Sequence, residues 1–124
     1  MLCKHPLIQE KVAQEVMNNT SIKPSDANFD DFAATITDVT LDRMHYLHAA
    51  LTETLRLYPV VPVAGPRICL GKEFAYRQMK IVSTCLIRWF QFKLTDDAQA
   101  ATYRKTFTLH MKGGLHVCAI PRTT

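Results

Sequence analysis

One short stretch of the chain frames a thiol in a way that favours chemistry. Gly65, Arg67, Cys69 and Gly71 form a G-x-R-x-C-x-G pattern. The glycines permit tight turns and let a flat group approach the main chain. A nearby arginine and the start of a following helix both favour the thiolate, which is the form of cysteine that binds a metal. Cys69 is therefore a candidate metal ligand, and the alternative is a small buried hydrophobic residue, the usual role of a free cysteine.

This loop resembles the haem-binding loop of the cytochrome P-450 family of haem-thiolate monooxygenases, whose pattern is F-x-x-G-x-R-x-C-x-G. Four of the five fixed positions match, and Pro62 stands where the phenylalanine is expected. The resemblance implies haem b as the cofactor, bound by Gly65, Arg67, Cys69 and Gly71. In that arrangement Cys69 is the axial ligand of the iron and Arg67 hydrogen-bonds a propionate. A solvated surface side chain is the alternative for Arg67, and no residue is predicted to remain as a catalytic group.

A second motif of the same family precedes the loop. Glu53-Thr54-Leu55-Arg56 resembles the family's E-x-x-R pair, and residues three apart lie on one face of a helix. The resemblance implies that Glu53 and Arg56 share a buried polar network, whereas an exposed helix pair is the alternative. The sequences that flank the motifs, at residues 45–50 and 76–80, resemble those of the plant fatty-acid hydroxylase branch of the family.

The elements that would position these motifs are mainly helical. Apolar residues at helical spacing predict helices near 6–18, 43–57 and 71–90. The last of these carries apolar residues around much of its circumference, which predicts burial on more than one side. The stretch 19–40 is polar and turn-rich, which indicates a linker with a possible short helix at 30–38.

The C-terminal end of the chain has the pattern of β structure. Alternating residues at 103–111 and a run at 115–120 flank the turn Lys112-Gly113-Gly114, which predicts a hairpin between them. The predicted fold class is mainly α with a small C-terminal β-hairpin, as a partial cytochrome P-450 fold.

The resemblance breaks between Val63 and Ala64. Strands, a meander and the leading phenylalanine of the loop are expected there in the family, and Pro62 belongs instead to the strand that follows the first motif. We therefore expect one truncated C-terminal region with an internal deletion. Residues 1–63 would hold the first helix and the E-x-x-R helix, and residues 64–124 the haem loop, the long helix and the hairpin.

Composition sets further bounds on function. The 124 residues are 48% hydrophobic and 21% charged, with 15 Lys and Arg against 11 Asp and Glu, giving a net charge of +4. This mild charge, without aromatics interleaved in a basic stripe, indicates an acidic partner more than nucleic acid. No apolar run approaches the ~20 residues of a membrane span, so we expect no membrane anchor in this chain. The family implies the endoplasmic-reticulum membrane, and without an anchor the expectation becomes the cytoplasm.

Several other residues have a possible functional role and an ordinary one. His45 and His48 could suggest a metal, but surface positions are favoured because no third ligand is apparent. Four basic residues on the long helix could form a solvated face or the surface that docks an acidic reductase: Lys72, Arg77, Lys80 and Arg88. The remaining cysteines, Cys3, Cys85 and Cys118, show no metal-binding or disulfide spacing and are predicted to be reduced packing residues.

Three functions of different classes remain open at this point. By resemblance the chain is a haem-thiolate monooxygenase that inserts one oxygen atom of O2 into a fatty-acid-like substrate, with NADPH-cytochrome reductase as its partner. The missing segments predict that this chain alone is inactive. A haem-binding remnant without turnover and a truncated product without a haem site are the alternatives.

Overall fold

Helices make up most of the described secondary structure. A computed structural model describes residues 2–20, 28–59, 69–96, 102–105 and 108–122. Within these ranges the elements are α1 (Pro6–Thr20), α2 (Phe29–Thr35), α3 (Asp38–Asp42), α4 (His45–Leu57), α5 (Lys72–Trp89), β1 (Phe90–Leu94), β2 (Tyr103–Lys105), β3 (Leu109–Met111) and β4 (Val117–Pro121). The mainly α class is confirmed, and α1, α4 and α5 correspond to the three predicted helices.

The hydrophobic core lies where α1, α4 and α5 meet. Val12 and Val16 are four residues apart on α1, so they lie on one face, and both are fully buried. Met44 and Leu47 contribute from the start of α4, and Ile87 contributes from α5. The other buried apolar residues of the cluster are Ala13, Phe32, Leu41 and Ala50. The apolar spacing that predicted the helices thus also gives the inward faces of α1 and α4.

The polar stretch before α4 is more than a linker, and that prediction is wrong for the part from residue 28 onward. The possible short helix is present as α2, and its Phe32 is fully buried. The rings of Phe32 and Trp89 meet edge-on with centroids 4.6 Å apart. Thr37 and Thr40 then form a capping box at the start of α3, with backbone-to-hydroxyl distances of 2.8 and 3.3 Å. Phe32 thus packs α2 against the core, although the segment has too few apolar residues for a helical period to be visible in its sequence.

Among the described residues helix α5 is buried along one side, so the prediction of burial on more than one side is wrong. The side chains that point into the core are Lys80, Thr84, Ile87 and Arg88. The apolar side chains on the other side are exposed, namely Phe74 (68%), Val82 (54%) and Leu86 (44%). The aliphatic stems of lysine and arginine pack as apolar surface, so a face that carries two of them can turn inward. Among the described residues, no element covers the exposed apolar side of α5.

The strands form two separate antiparallel pairs. β1 pairs with β4 over five residues, from Phe90 opposite Pro121 to Leu94 opposite Val117. β2 pairs with β3 as a small C-terminal hairpin. The predicted pairing of 103–111 with 115–120 is therefore wrong. Gly113 and Gly114 do form the turn, with φ of 79° and 72°, but the turn leads from one pair to the other. β1, which directly follows α5, pairs with β4 over five residues, whereas β2 and β3 pair over three.

A glutamine closes the outer edge of β1. Gln9, on α1, is 1% exposed, and its side-chain amide imitates a neighbouring strand. Its Nε2 donates to the Phe92 carbonyl at 3.0 Å, and its Oε1 accepts from the Phe92 N–H at 2.7 Å. Buried backbone groups need such partners, because an unpaired one loses its solvation without compensation. Gln9 thus attaches the sheet to α1 and ends it on that side.

Candidate functional site

The predicted iron ligand lies at the mouth of α5. Cys69 is exposed, and its carbonyl accepts a hydrogen bond from the Lys72 N–H at 3.1 Å, which starts the first turn of the helix. A Cβ added at Gly71 would lie 3.9 Å from the Cys69 sulfur, an ordinary contact distance. The thiol is therefore beside the Gly71 backbone, close to the N-terminal end of α5.

The other half of the predicted haem loop is not part of this geometry. Arg67 and Gly65 lie outside the described residues, as do Pro62 and the junction at Val63. The role of Arg67 at a propionate and that of Gly65 in the turn stay predictions. The described part of the loop begins at Cys69, and it supplies the sulfur and the helix start.

The surroundings of Cys69 fit one face of a haem. Haem is flat and apolar apart from its propionates, so a site needs a thiolate and apolar side chains beside it. Leu70 is fully exposed and Phe74 is 68% exposed, and they follow Cys69 by one and five residues. These side chains offer apolar surface that a bound ring could cover. The sulfur, the helix terminus and this surface match a proximal face, while the described residues leave the opposite side of the thiol open to solvent.

Glu53 and Arg56 form the predicted pair, but at the surface of α4. The Arg56 Nε donates to Glu53 Oε2 at 2.7 Å and its Nη2 donates to Oε1 at 2.6 Å, a two-pronged ion pair. The Arg56 side chain is 67% exposed and the Glu53 side chain 40% exposed, so the structure does not have the buried network that the resemblance implied. The hydrogen bond from Arg56 lowers the pKa of Glu53, and the same bond raises the pKa of Arg56. The pair stiffens one turn of α4 without contacting the core.

The basic residues of α5 do not form one solvated face, so that prediction is wrong for two of the four. Lys80 is 9% exposed, and its Nζ donates to the Leu41 carbonyl at 2.8 Å. Arg88 is 4% exposed, and its guanidinium lies 5.8 Å from the centre of the Trp89 ring. The Arg88 Nε is buried and has no hydrogen-bond partner. Both side chains can face inward because their aliphatic stems pack as apolar surface, and the ammonium of Lys80 is bonded to α3.

The other two basic residues are at the surface. Arg77 forms an exposed ion pair with Asp38 at 2.7 Å. The Lys72 ammonium lies 5.9 Å from the centre of the Tyr76 ring, within cation–π range. Only Lys72 and Arg77 therefore stay available for the basic docking surface that the sequence suggested on this helix.

The histidines and the remaining cysteines take ordinary positions, with one exception. His45 and His48 are exposed as expected, and the His48 ring stacks on Tyr76 at 5.1 Å. Cys85 is half-buried beside the core, and burial raises the pKa of its thiol. Cys118 is exposed on β4, so its prediction as a packing residue is wrong. Within the ranges that the structure describes, no three or more His, Cys, Asp or Glu side chains cluster as a metal site.

A polar cavity beside α5 had no signal in the sequence. It has a volume of about 420 Å³ and is lined by Asp42, His48, Glu73, Tyr76, Arg77 and Lys80, among others. These residues come from α3, α4 and α5, which are up to 40 positions apart, so neither a motif nor a period connects them. Both signs of charge line the cavity, which by itself selects no class of ligand.

Comparison with known proteins decides the family. The model of the family described as Cytochrome P450 matches residues 1–64 and 63–118. The chain belongs to the cytochrome P450 family. Cytochrome P450 704C1 of Pinus taeda is 32% identical over 98% of this chain and 38% of its own length. Cytochrome P450 704B1 of Arabidopsis thaliana is 26% identical over 92% of this chain and 36% of its own length.

The expected branch of the P450 family is also confirmed. Alkane hydroxylase MAH1 of Arabidopsis thaliana is 24% identical over 94% of this chain and 34% of its own length. With the two plant proteins above, it supports the resemblance to plant fatty-acid and alkane hydroxylases. Haem b is the cofactor of P450 proteins. The chain spans little more than a third of the length of these relatives.

The internal deletion expected from the sequence is consistent with the way the P450 family matches. The two matched parts meet at residues 63 and 64, which is the predicted junction. The alignment with the Pinus taeda protein runs over 195 positions, whereas this chain has 124 residues. At least 71 aligned positions, the difference of these two numbers, therefore have no counterpart here. Separately, none of the helices in the described ranges has the length and apolar character needed to cross a bilayer.

Proposed function

We propose that this chain keeps the proximal half of a P450 haem site and binds haem b through Cys69 without acting as a monooxygenase on its own. The observation that carries the proposal is the exposed Cys69 just before α5, followed one and five residues later by the exposed apolar side chains of Leu70 and Phe74. A thiol, a helix terminus and apolar surface at one place are what one face of a haem requires.

Each residue of the loop would make a different contact with the haem. Cys69, as the thiolate, would be the axial ligand, and the N-terminal end of α5 would stabilise its negative charge. Arg67 would pair with a propionate, which its planar guanidinium suits better than a lysine ammonium. Haem held by a thiolate supplies the activation of O2 for insertion into C–H bonds in this family. Leu70 and Phe74 would exclude water from one face of the ring.

The proposed lack of turnover rests on the enclosure of that site. Most of the affinity of a buried apolar cofactor comes from the surface that the protein covers, and monooxygenation needs a site closed to water. Cys69 and Phe74 are exposed, and at least 71 positions of the Pinus taeda relative have no counterpart. A fatty-acid-like substrate and NADPH-cytochrome reductase, the partners proposed from the family, would therefore meet an open site.

An absorption spectrum tests the haem part of this proposal. The purified chain is mixed with haem, reduced under carbon monoxide, and compared with Cys69→Ser and Cys118→Ser. Cys118 is the matched control because it is the other cysteine with an exposed thiol. We expect a red-shifted Soret band of the thiolate type in wild type and Cys118→Ser, and its absence in Cys69→Ser. Equal spectra for wild type and Cys69→Ser would favour the alternative, a truncated product without a haem site.

A turnover assay tests the second part separately. The haem-loaded chain is given NADPH, a plant reductase and a long-chain fatty acid, and hydroxylated product is measured against the Cys69→Ser variant. We expect no product above that background. Product that depends on Cys69 would contradict the proposed inactivity while leaving the haem ligand in place.

A further inference from the structure

The outer edge of β4 is an unused surface for strand pairing. β4 carries Val117, Cys118, Ala119, Ile120 and Pro121, and all five residues are exposed. One edge of this strand pairs with β1, and none of the described residues pairs with the other edge. An open strand edge offers a row of N–H and C=O groups to another chain.

The hydrogen bonds of the β1–β4 pair fix which groups point outward. The Thr95 N–H donates to the His116 carbonyl at 3.1 Å, and the Arg122 N–H donates to the Trp89 carbonyl at 2.8 Å. Bonded residues alternate along an antiparallel pair, so His116, Cys118, Ile120 and Arg122 bond towards β1. Val117 and Ala119 therefore direct both their N–H and their C=O away from β1, and Pro121 directs only its C=O.

The opposite edge of the same sheet cannot accept another strand in this way. On β1, the outward N–H and C=O of Phe92 are already bonded to the side chain of Gln9. Within the described residues the sheet is therefore open to a further strand beside β4. Gln9 occupies the outward groups of Phe92 on β1, and among the described residues no side chain bonds the outward N–H and C=O groups of β4 in the same way.

We propose that β4 pairs antiparallel with β4 of a second copy of the chain, with Cys118 facing Cys118 across a two-fold axis. In this register Val117 of one copy lies opposite Ala119 of the other, so all outward N–H and C=O groups of these two residues are bonded. A two-fold axis at Ala119 would instead place Val117 opposite Pro121, which has no N–H, and would leave the Val117 carbonyl of each copy without a donor. The interface is isologous, as a two-fold contact must be.

The side chains of β4 suit its own copy. Val117 would face Ala119, and Ile120 would face His116, so no two like formal charges lie directly opposite at neutral pH with neutral histidine. Residues that do not share hydrogen bonds across an antiparallel pair have Cα atoms about 4.5 Å apart. That separation lies within the range of about 4.4–6.8 Å that a disulfide can bridge. A disulfide between the two Cys118 residues would therefore show that the strands pair in this register.

Oxidation with a diazene dicarboxamide, diamide, tests the proposal. Two Cys118 thiols each lose a hydrogen, one S–S bond forms, and the diamide is reduced to its hydrazine. We expect a disulfide-linked dimer on a non-reducing gel, with Cys118 joined to Cys118 by mass spectrometry, and its loss in Cys118→Ser. A dimer joined mainly through the other exposed thiol, that of Cys69, would overturn the proposed register.

A second variant separates pairing from random collision. Ile120→Cys in the Cys118→Ser background puts an exposed thiol on the same face of β4. The two copies of residue 120 would be about 13 Å apart along the paired strands, too far to bridge. We expect at least ten-fold slower cross-linking than for Cys118. Equal rates would show that the thiols meet by collision, and the proposal would fail.

The reduced protein gives a test that needs no cysteine chemistry. Ala119→Pro removes an N–H that points away from β1, so the β1–β4 bonds stay intact while the proposed interface loses two bonds. In sedimentation at the highest soluble concentration, wild type should show a concentration-dependent dimer and Ala119→Pro should be monomeric. A wild-type chain that stays monomeric would overturn the proposal. Circular dichroism confirms that the variant is folded.

Discussion

Two neighbouring residues at the end of α5 allow the orientation of that helix to be tested directly. Leu86 and Ile87 have side chains of the same volume, but Ile87 is 3% exposed and Leu86 is 44% exposed. Replacing each by alanine removes almost the same group from two different environments. We predict a large loss of stability for Ile87→Ala and a small one for Leu86→Ala.

The expected difference follows from burial. A buried isoleucine truncated to alanine costs about 2–5 kcal/mol, because the transfer free energy is lost and a cavity remains. Leu86 keeps nearly half of its surface in water and leaves no enclosed cavity, so its truncation should cost less than about 1 kcal/mol. With a urea slope of about 1–3 kcal/mol per molar, the urea midpoint of the Ile87 variant should fall by at least about 0.7 M. In a domain of about 5–15 kcal/mol total stability, that is a substantial fraction.

Urea unfolding is followed by the fluorescence of Trp89, the single tryptophan of the chain. Far-ultraviolet circular dichroism serves as a second probe, because Trp89 is close to both substitutions. Equal shifts for the two variants, or a larger one for Leu86→Ala, would refute the orientation of α5. That result would mean that the apolar side is covered and that Lys80 and Arg88 point outward.

The remaining predictions concern residues whose roles the sequence did not reveal or only suggested. Gln9→Glu should destabilise the fold at neutral pH, because a buried carboxylate cannot donate to the Phe92 carbonyl. Burial would raise the pKa of the introduced carboxyl in the folded protein. The variant should therefore be most stable at low pH and lose stability as the pH rises through that folded-state pKa, which urea midpoints measured across pH would show. Phe32→Ala should cost about 3–5 kcal/mol by urea unfolding, whereas a linker residue would cost almost nothing. Glu53→Gln should leave the midpoint at neutral pH unchanged within replicates, because the pair with Arg56 is exposed. The lowered pKa of Glu53 means that any contribution is present above the ordinary carboxyl pKa and is lost as pH falls through the folded value.

The helices could be predicted because their signals are local. Pro6 at the start of α1 and Pro59 just after α4 mark boundaries by backbone geometry alone, and apolar spacing does the rest. The rotation of α5 could not be predicted in the same way. A helix with apolar residues around most of its circumference has no single strongest face, so its packing partners choose which side is buried.

Strand pairing and the position of Phe32 depended on contacts distant in sequence. The paired residues of β1 and β4 are at least 23 positions apart, and nothing in the alternation of 103–111 says that the turn at Gly113 would separate two pairs. The Cys69 motif was recognised from a short pattern, but its exposure depends on what covers the start of α5. Motifs predict which atoms can bind, and only the packed structure says how far they are enclosed.

The thiol lies just before the helix that carries the exposed apolar side chains, which limits how much of that surface a bound haem would cover. Phe74 is one turn past Cys69, whereas Val82 and Leu86 lie about 12 and 18 Å further along the axis. A haem ligated by Cys69 would cover the first turn, and the later apolar residues would stay exposed. Under the proposed function, filling the haem site would therefore not by itself supply the enclosure that turnover needs. Under the proposed function a covering polypeptide segment would be needed for that, and the two parts that match the P450 family meet at residues 63 and 64.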